Sequence, residues 1–511
     1  MTTITQTRTG SYSLETSEAL RLTIGIILSL LSGLFFFITF PPLNWWPFAW
    51  VALVPYLVAQ HRFIPLRYSA LAPTIAITVW LWPFLARLFN IPGAPIWFVN
   101  LGLIFGLIGL VLHAERKFDE LSGYRWFIVQ GVLAWVGFEM VRSFIPFMGT
   151  MGFIANPLAG QAWLIQPVSI FSIYGLNLLI ILVNFSLAQV LILLIDRRLK
   201  ITDTKPVDPR STWRWAGAIA AAVVVWVALS LVILNSKPQG TQTVRVAALQ
   251  PGLPEAAHVD PLTSQEQRLS IFTEQARQAA AQGAQIIFTS EMMFGFDPQL
   301  AHTDELRALA AETNAYLYLN YVFHDEAGFH NETVLLSPAG LFSEVYGKLH
   351  NTIGEPPIVS AGTFPVIDTP FGRIGSIICM DGVFTDAARN LARRGAQLIG
   401  NPSLNTTPGI GEQNWTHFVF RSVENQVPMV NADTAYASVI TDAHGRILQK
   451  SSTPDTGREV LVADVTVGSG NSPHRILGDW LGWVALVGWV GTWVLESFYK
   501  RRAKKAVQGL P

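Results

Sequence analysis

The chain contains a single cysteine, Cys379. Its setting suits a nucleophile. The apolar run at 373–379 (RIGSIIC) reads as a strand, Met380-Asp381-Gly382 as a turn, and a helix capped near Thr385 and Asp386 follows. A side chain on such a strand-to-helix turn projects out of the sheet while the next backbone N–H groups face the same space, as a nucleophile and an oxyanion hole require. Free cysteine is also among the most buried residue types, and taken alone the segment reads rather as a small core hydrophobe. A working thiol needs a base or a cationic neighbour. His324, His330, His350 and His417 are available, but none is spaced as a recognisable Cys–His pair. The alternative is a carboxylate with a lysine: Glu291 sits at the exit of the apolar strand 286–289, and Lys348 ends 345–348 (VYGK). Lysine is scarce here, with only Lys237, Lys348 and Lys450 in 236–475, whereas strand-end acids are common in loops and Glu291 alone carries little.

These groups need a folded domain to position them. Residues 236–475 hold 15 Lys+Arg against 24 Asp+Glu and lack the long apolar runs found elsewhere, so they read as a water-facing domain of roughly 240 residues, large enough for a core without disulfides. Strands are expected at 243–250, 286–289, 315–322, 332–336, 341–346, 373–379, 396–400, 428–433, 437–441 and 460–464, with 332–336 and 341–346 paired around Ser337-Pro338-Ala339-Gly340. Helices are expected at 262–282, 304–313 and 411–425, and the alternation argues for a layered α/β domain.

The remainder belongs in a bilayer. Of 511 residues, 50% are hydrophobic and 14% charged, against about 25% charged for soluble chains, and the mean hydropathy is +0.36. Thirty-five basic residues balance 35 acidic ones, which excludes a nucleic-acid binder needing a basic face. One cysteine excludes an internal disulfide, a cysteine zinc site and an iron–sulfur cluster; no metal and no cofactor is expected. Eight apolar stretches could span, near 20–40, 45–60, 68–88, 96–114, 124–142, 170–195, 213–234 and 476–498, the second being short and broken by prolines. The polar leader lacks a small-residue cleavage site, so the first stretch reads as a retained span. With cytoplasmic termini the inner segments carry eighteen Lys or Arg, including Arg8, Arg62, Lys200 and Arg502, against Arg87 and Arg142 in the short outer loops. This bias places 236–475 on the outer face. The organisation is then 1–235 with spans one to seven, 236–475 as the outer domain, and 476–511 as the last span with a basic cytoplasmic tail. Glu139 and Arg142, one turn apart at the outer end of a span, are expected to pair and line a polar cavity.

The ordered set strand-Glu291, strand-Lys348, strand-Cys379-helix resembles the Glu-Lys-Cys triad of the nitrilase, or carbon–nitrogen hydrolase, superfamily. The opening strand 244–251 (VRVAALQP), the segment 421–426 (RSVENQ) followed by Pro428, and the hairpin 442–446 (DAHGR) are similar to other parts of that domain. In the membrane half, 135–142 (WVGFEMVR), 173–177 (IYGLN) and Asn184 resemble the bacterial apolipoprotein N-acyltransferase family, which carries such a domain before its last span. That resemblance implies an αββα sandwich on the periplasmic face of the inner membrane beside a helical membrane domain. It implies Cys379 as nucleophile, Glu291 as general base and Lys348 as oxyanion cation. Glu355 stands near the family's second acid, one residue closer than usual. Met380 and Asp381, which support the site or contact substrate, stand where the family has an aromatic residue and Glu, and Thr289-Ser290 replace aromatic-Pro. The implied substrates are a phospholipid acyl donor and a diacylglyceryl-apolipoprotein acceptor. A membrane-tethered amidase and a non-catalytic lipid- or lipoprotein-binding paralogue are the alternatives; the intact triad speaks against the second and the many spans against the first. The apolar loops 292–296, 356–359 and 409–411 near Trp415 could admit acyl chains or pack beneath the domain.

Overall fold

The computed structural model describes residues 3–6, 12–15, 17–89, 95–199, 201, 204–236, 242–252, 264–352, 354–405, 407–451, 457–468 and 470–507. Arg8 and Lys200, used above for orientation, and the start of the helix expected at 262 lie outside them. Contacts divide the chain into two compact units: Met1–Met140 with Tyr174–Val227 and Leu481–Pro511, and Val141–Ile173 with Ala228–Trp480.

The first unit is helical. Its segments include α1 (Glu18–Thr39), α2 (Leu71–Phe89), α3 (Pro95–Ser122), α4 (Phe127–Arg142), α5 (Val168–Arg198) and α6 (Pro209–Leu234), and the helix Trp480–Val507. Among the described residues five helices are long and apolar enough to cross a membrane: Glu18–Thr39, Leu66–Arg87, Val168–Arg198, Pro209–Leu234 and Trp480–Lys504. They present apolar side chains outward, as with Val224 at 68% and Val487 at 71% exposure, an arrangement that only a lipid environment makes favourable. The protein is thus a multi-pass membrane protein. Helix α4, with 16 residues, covers about 24 Å against a hydrocarbon core of about 30 Å.

The proline-rich stretch at 45–60 is broken into a 3₁₀ turn Trp46–Trp50, a helical turn Val54–Val58 and a π turn Ala59–Phe63. Backbone groups freed by such breaks need partners away from water. Asn184 on α5 supplies them: its Oδ1 accepts from Leu53 N (2.9 Å), and its Nδ2 donates to the Ala49 carbonyl (2.9 Å).

In the second unit twelve strands form two six-stranded sheets. They are β1 (Thr243–Gln250), β2 (Ile286–Phe288), β3 (Tyr316–His324), β4 (Phe329–Leu336), β5 (Tyr346–Gly347), β6 (Ile367–Thr369), β7 (Gly372–Ser376), β8 (Leu398–Ser403), β9 (Met429–Asp433), β10 (Val439–Thr441), β11 (Ile447–Lys450) and β12 (Glu459–Thr466). One sheet runs β12-β1-β2-β3-β4-β5 and the other β11-β10-β9-β8-β7-β6. Each has a parallel centre, β1-β2-β3 and β7-β8-β9, flanked by antiparallel strands. Helices α7 (Gln265–Ala281), α8 (Thr303–Thr313), α9 (Asp386–Arg393) and α10 (Pro408–Asn425) complete the unit.

Strand alternation decides the layers. Val244, Val246 and Ala248 of β1 join Phe288, Leu398 and Val430 in a core made by both sheets, while Ala247 and Leu249 face Leu269, Phe272 and Leu306 of α7 and α8. On the second sheet Ile399 and Met429 pack with Leu391 of α9 and Phe418 of α10. The result is a helix–sheet–sheet–helix sandwich. Some expected elements differ. The strand expected at 341–346 is reduced to β5 and one isolated bridge, Leu336 with Phe342, because the Ser343 hydroxyl accepts Leu335 N (3.0 Å) where a ladder carbonyl would stand. The pairing expected around 337–340 is present, with Thr333 opposite Tyr346 and Glu332 opposite Gly347, and on its other edge β4 pairs along its length with β3. Thr385 is the N-cap residue of α9 as expected, but its side chain makes no capping hydrogen bond; its hydroxyl donates to Asp479 (2.5 Å).

The sheets approach closely at Gly400, where an added Cβ would collide with the Phe288 ring, itself stacked on Tyr318 at 5.0 Å. Replacing Gly400 with alanine should therefore destabilise the unit by about 1–3 kcal/mol, the usual cost of overpacking. Thermal unfolding of the purified variant checks this, and an unchanged midpoint would show that the sheets separate freely at this point.

Candidate active site

Three strand ends meet. Glu291 follows β2 and is fixed through its N–H, which donates to the Ser403 carbonyl (3.3 Å). Lys348 follows β5, with its N–H donating to the Asn331 carbonyl (2.9 Å). Cys379 opens a 3₁₀ turn, Cys379–Gly382, three residues beyond β7. Its φ of 48° lies in the left-handed region, a conformation that costs a non-glycine residue roughly 1 kcal/mol or more and clusters at functional turns. The strand-to-helix turn read from the sequence is thus a strained 3₁₀ turn, with α9 beginning at Asp386.

The Lys348 ammonium is buried between two carboxylates, 2.8 Å from Glu291 Oε1 and 2.9 and 2.8 Å from Glu355 Oε1 and Oε2. Burial alone would lower its pKa, but the carboxylates of Glu291 and Glu355 more than reverse this and hold it protonated. Asn331 on β4 bridges the acids, donating to Glu291 Oε1 (2.8 Å) and Glu355 Oε1 (3.2 Å). Burial pushes the Cys379 thiol well above its ordinary range and hydrogen-bonded Glu291 pushes further, while Lys348 and the Leu404 N–H act the other way. The resting group is therefore a neutral thiol beside a carboxylate.

Asp381 is fully buried and faces backbone rather than open space. It accepts from Ile378 N (3.1 Å), Tyr346 Oη (2.8 Å), Leu349 N (3.1 Å) and His350 N (2.9 Å). It thereby ties the turn bearing Cys379 to the segment bearing Lys348. Met380 is buried in the same turn. The segment 141–173 also reaches this turn: Thr150 N and Oγ1 both donate to the Val383 carbonyl, at 3.2 and 2.8 Å.

Other expected residues stand apart from this cluster. Glu139, in the first unit, accepts from Asn177 Nδ2 (2.8 Å) and Trp135 Nε1 (3.1 Å). Arg142, in the second, donates to the Met151 carbonyl (2.7 Å) and lies 4.7 Å over the Phe153 ring. Of the apolar loops, Met293 and Phe294 belong to the core, Pro356 and Pro357 are exposed, and Lys450 covers Trp415 at 4.0 Å. Sequence reading passed over Asn331, Ser403 and Thr150.

His350 stacks on Phe384 at 3.9 Å and places Nδ1 3.0 Å from Asp381 Oδ1. Burial would lower its pKa, but Asp381 and Asp386 raise it above the ordinary 6.5. A raised folded pKa means stabilisation that is complete below the unfolded value and lost as pH rises through the folded one. Unfolding midpoints measured across that window should fall with rising pH, and His350→Gln should flatten that slope; an unaltered slope would remove His350 from this role.

Residues 245–472 match the carbon-nitrogen hydrolase family, and residues 32–186 match the apolipoprotein N-acyltransferase N-terminal domain. The apolipoprotein N-acyltransferase of Geobacter metallireducens is 26% identical, covering 90% of this chain and 93% of that protein. That of Chlorobaculum tepidum is 23% identical over 86% of this chain and 91% of its own length. Omega-amidase NIT2 of Homo sapiens is 30% identical but covers 35% of this chain and 76% of that protein. The two family matches lie side by side in one chain and the full-length relatives share both, so the chain belongs to the apolipoprotein N-acyltransferase family within the carbon–nitrogen hydrolase superfamily.

Proposed function

We propose that this membrane protein transfers an acyl chain from a phospholipid to the α-amino group of a diacylglyceryl-cysteine at a lipoprotein N-terminus, through a thioester on Cys379. The observation that carries the chemistry is the buried lysine held between two carboxylates beside the thiol. Because the thiol rests neutral, Glu291 takes its proton as the sulfur attacks the ester carbonyl. Lys348 stabilises the oxyanion of the tetrahedral intermediate. Collapse breaks the ester C–O bond, Glu291 returns the proton to the departing oxygen, and a lysophospholipid leaves. In the second half the amine attacks the thioester and gives its proton to Glu291; the C–S bond breaks, and the sulfur regains a proton as the amide departs. Glu355 and Asn331 hold Lys348 and Glu291 in place, and Asp381 positions the two loops.

An amidase using water would account for the second unit, and the kinship with an omega-amidase favours it there. It leaves the match over 32–186 without a purpose. On the acyltransferase reading the eight stretches all lie in or span the membrane, the termini are cytoplasmic and the sandwich faces the periplasm, as the distribution of basic residues supports.

Intact-mass spectrometry after exposure to phospholipid should find one acyl group on Cys379, and none in Cys379→Ser. Lys348→Met preserves length without charge and should slow thioester formation at least about a hundredfold, the scale of a lost oxyanion donor. Normal acylation with weakened lipid binding would make Lys348 a head-group contact instead. For placement, Leu300→Cys, at a position 85% exposed, should react in a Cys379→Ala background with an impermeant thiol reagent applied to the outer face. Arg210→Cys should not, and the opposite pattern would invert the topology.

A further inference from the structure

Apart from the triad, three side chains of metal-binding type, Glu424 and His474 buried and Asp479 half-buried, converge within the second unit. Glu424 on α10, and His474 and Asp479 on the segment before Trp480, each place one ligand atom within 4.8 Å of the other two. The Ser172 hydroxyl donates to Asp479 Oδ1 (2.6 Å) and Glu424 Oε1 (3.2 Å), Ile173 N to Glu424 Oε1 (2.9 Å), and Thr385 Oγ1 to Asp479 Oδ2 (2.5 Å). The His474 imidazole is 0% exposed; its Nδ1 makes no hydrogen bond, and its Nε2 has only a long contact with Asp479.

Its Nε2 is aimed at Asp479 Oδ1 from 3.5 Å. That is long for a hydrogen bond, which prefers about 2.9 Å. It suits two donors sharing one ion, because tetrahedral bonds of about 2.0–2.1 Å set ligand atoms about 3.3 Å apart. Glu424 Oε2 also lacks a hydrogen bond, although Arg421 Nε touches it at 2.7 Å without alignment. Glu424 and Asp479 bring two carboxylates into this space, with Arg421 against Glu424 Oε2 and His474 against Asp479 Oδ1.

We infer that Glu424, His474 and Asp479 bind a divalent ion of the zinc class. The imidazole selects against magnesium and calcium, which favour all-oxygen sites. With three protein ligands, none of them the thiol, the ion has a structural role: it fastens α10, the non-helical Ser172 at the head of α5, Thr385 three residues beyond the Cys379 turn and the connector to the last helix.

The test uses the full-length protein in detergent or nanodiscs, stripped with chelator, equilibrated with zinc chloride and desalted, with metal per chain measured by plasma mass spectrometry. One zinc per chain is expected in the wild type and also in Cys379→Ala, which removes the only thiol. His474→Gln and Glu424→Gln should bind zinc at least about tenfold more weakly. Zinc should raise the unfolding temperature of the wild type in a concentration-dependent way, a readout that stands even if a variant folds poorly. A wild type that retains no zinc and shows no thermal shift would overturn the inference in favour of a protonated His474. So would zinc lost in Cys379→Ala but kept in His474→Gln.

Discussion

The groups of the candidate site leave different sheets, and hydrogen bonds to one buried carboxylate help to hold the two together. Glu291 and Lys348 leave the ends of β2 and β5, whereas Cys379 leaves β7 of the opposite sheet. Sheets packed through an apolar core can slide, since dispersion contacts have no direction. Asp381 removes that freedom by accepting from Ile378 on one side and from Tyr346, Leu349 and His350 on the other. A buried carboxylate is tolerable only when its acceptor capacity is filled, so the bonds that solvate Asp381 are the ones that set the distance from thiol to ammonium.

That distance matters because the site combines groups that tolerate burial only in company. Lys348 would be neutral alone at such depth; the flanking acids keep it charged, and Asn331 keeps the acids from rotating away. The sulfur is raised by the same burial. Low dielectric surroundings strengthen each of these interactions and make each omission costly.

Much of this was legible in the sequence, and the exceptions have physical reasons. Thr243–Gln250 and Met429–Asp433 were found because alternation or uninterrupted burial marks a strand whatever its neighbours. The segment 341–346 pairs with β4 as expected but holds less regular strand, because a serine hydroxyl substitutes for a ladder carbonyl, which no periodicity records. Thr385 takes the N-cap position its residue type suggests, yet its hydroxyl goes to a carboxylate ninety-four residues later, Asp479. Glu355 could be found from its nearness to Lys348 and a family spacing. Asn331 could not, because its partners come from other strands. In the membrane half, apolar length alone cannot tell a straight span from the broken run at 46–63, which depends on Asn184 more than a hundred residues downstream.

The second unit is not one stretch of chain. Val141–Ile173 is synthesised well before Ala228–Trp480 yet packs with it, and Thr150 supplies both donors to the Val383 carbonyl behind the nucleophile turn. During synthesis that early loop must wait until the sandwich emerges to receive it. Excising the sandwich as a contiguous fragment leaves the turn that bears Cys379 without its brace. The setting of that turn is thereby coupled to a piece of chain made much earlier, and a cut between the two separates them.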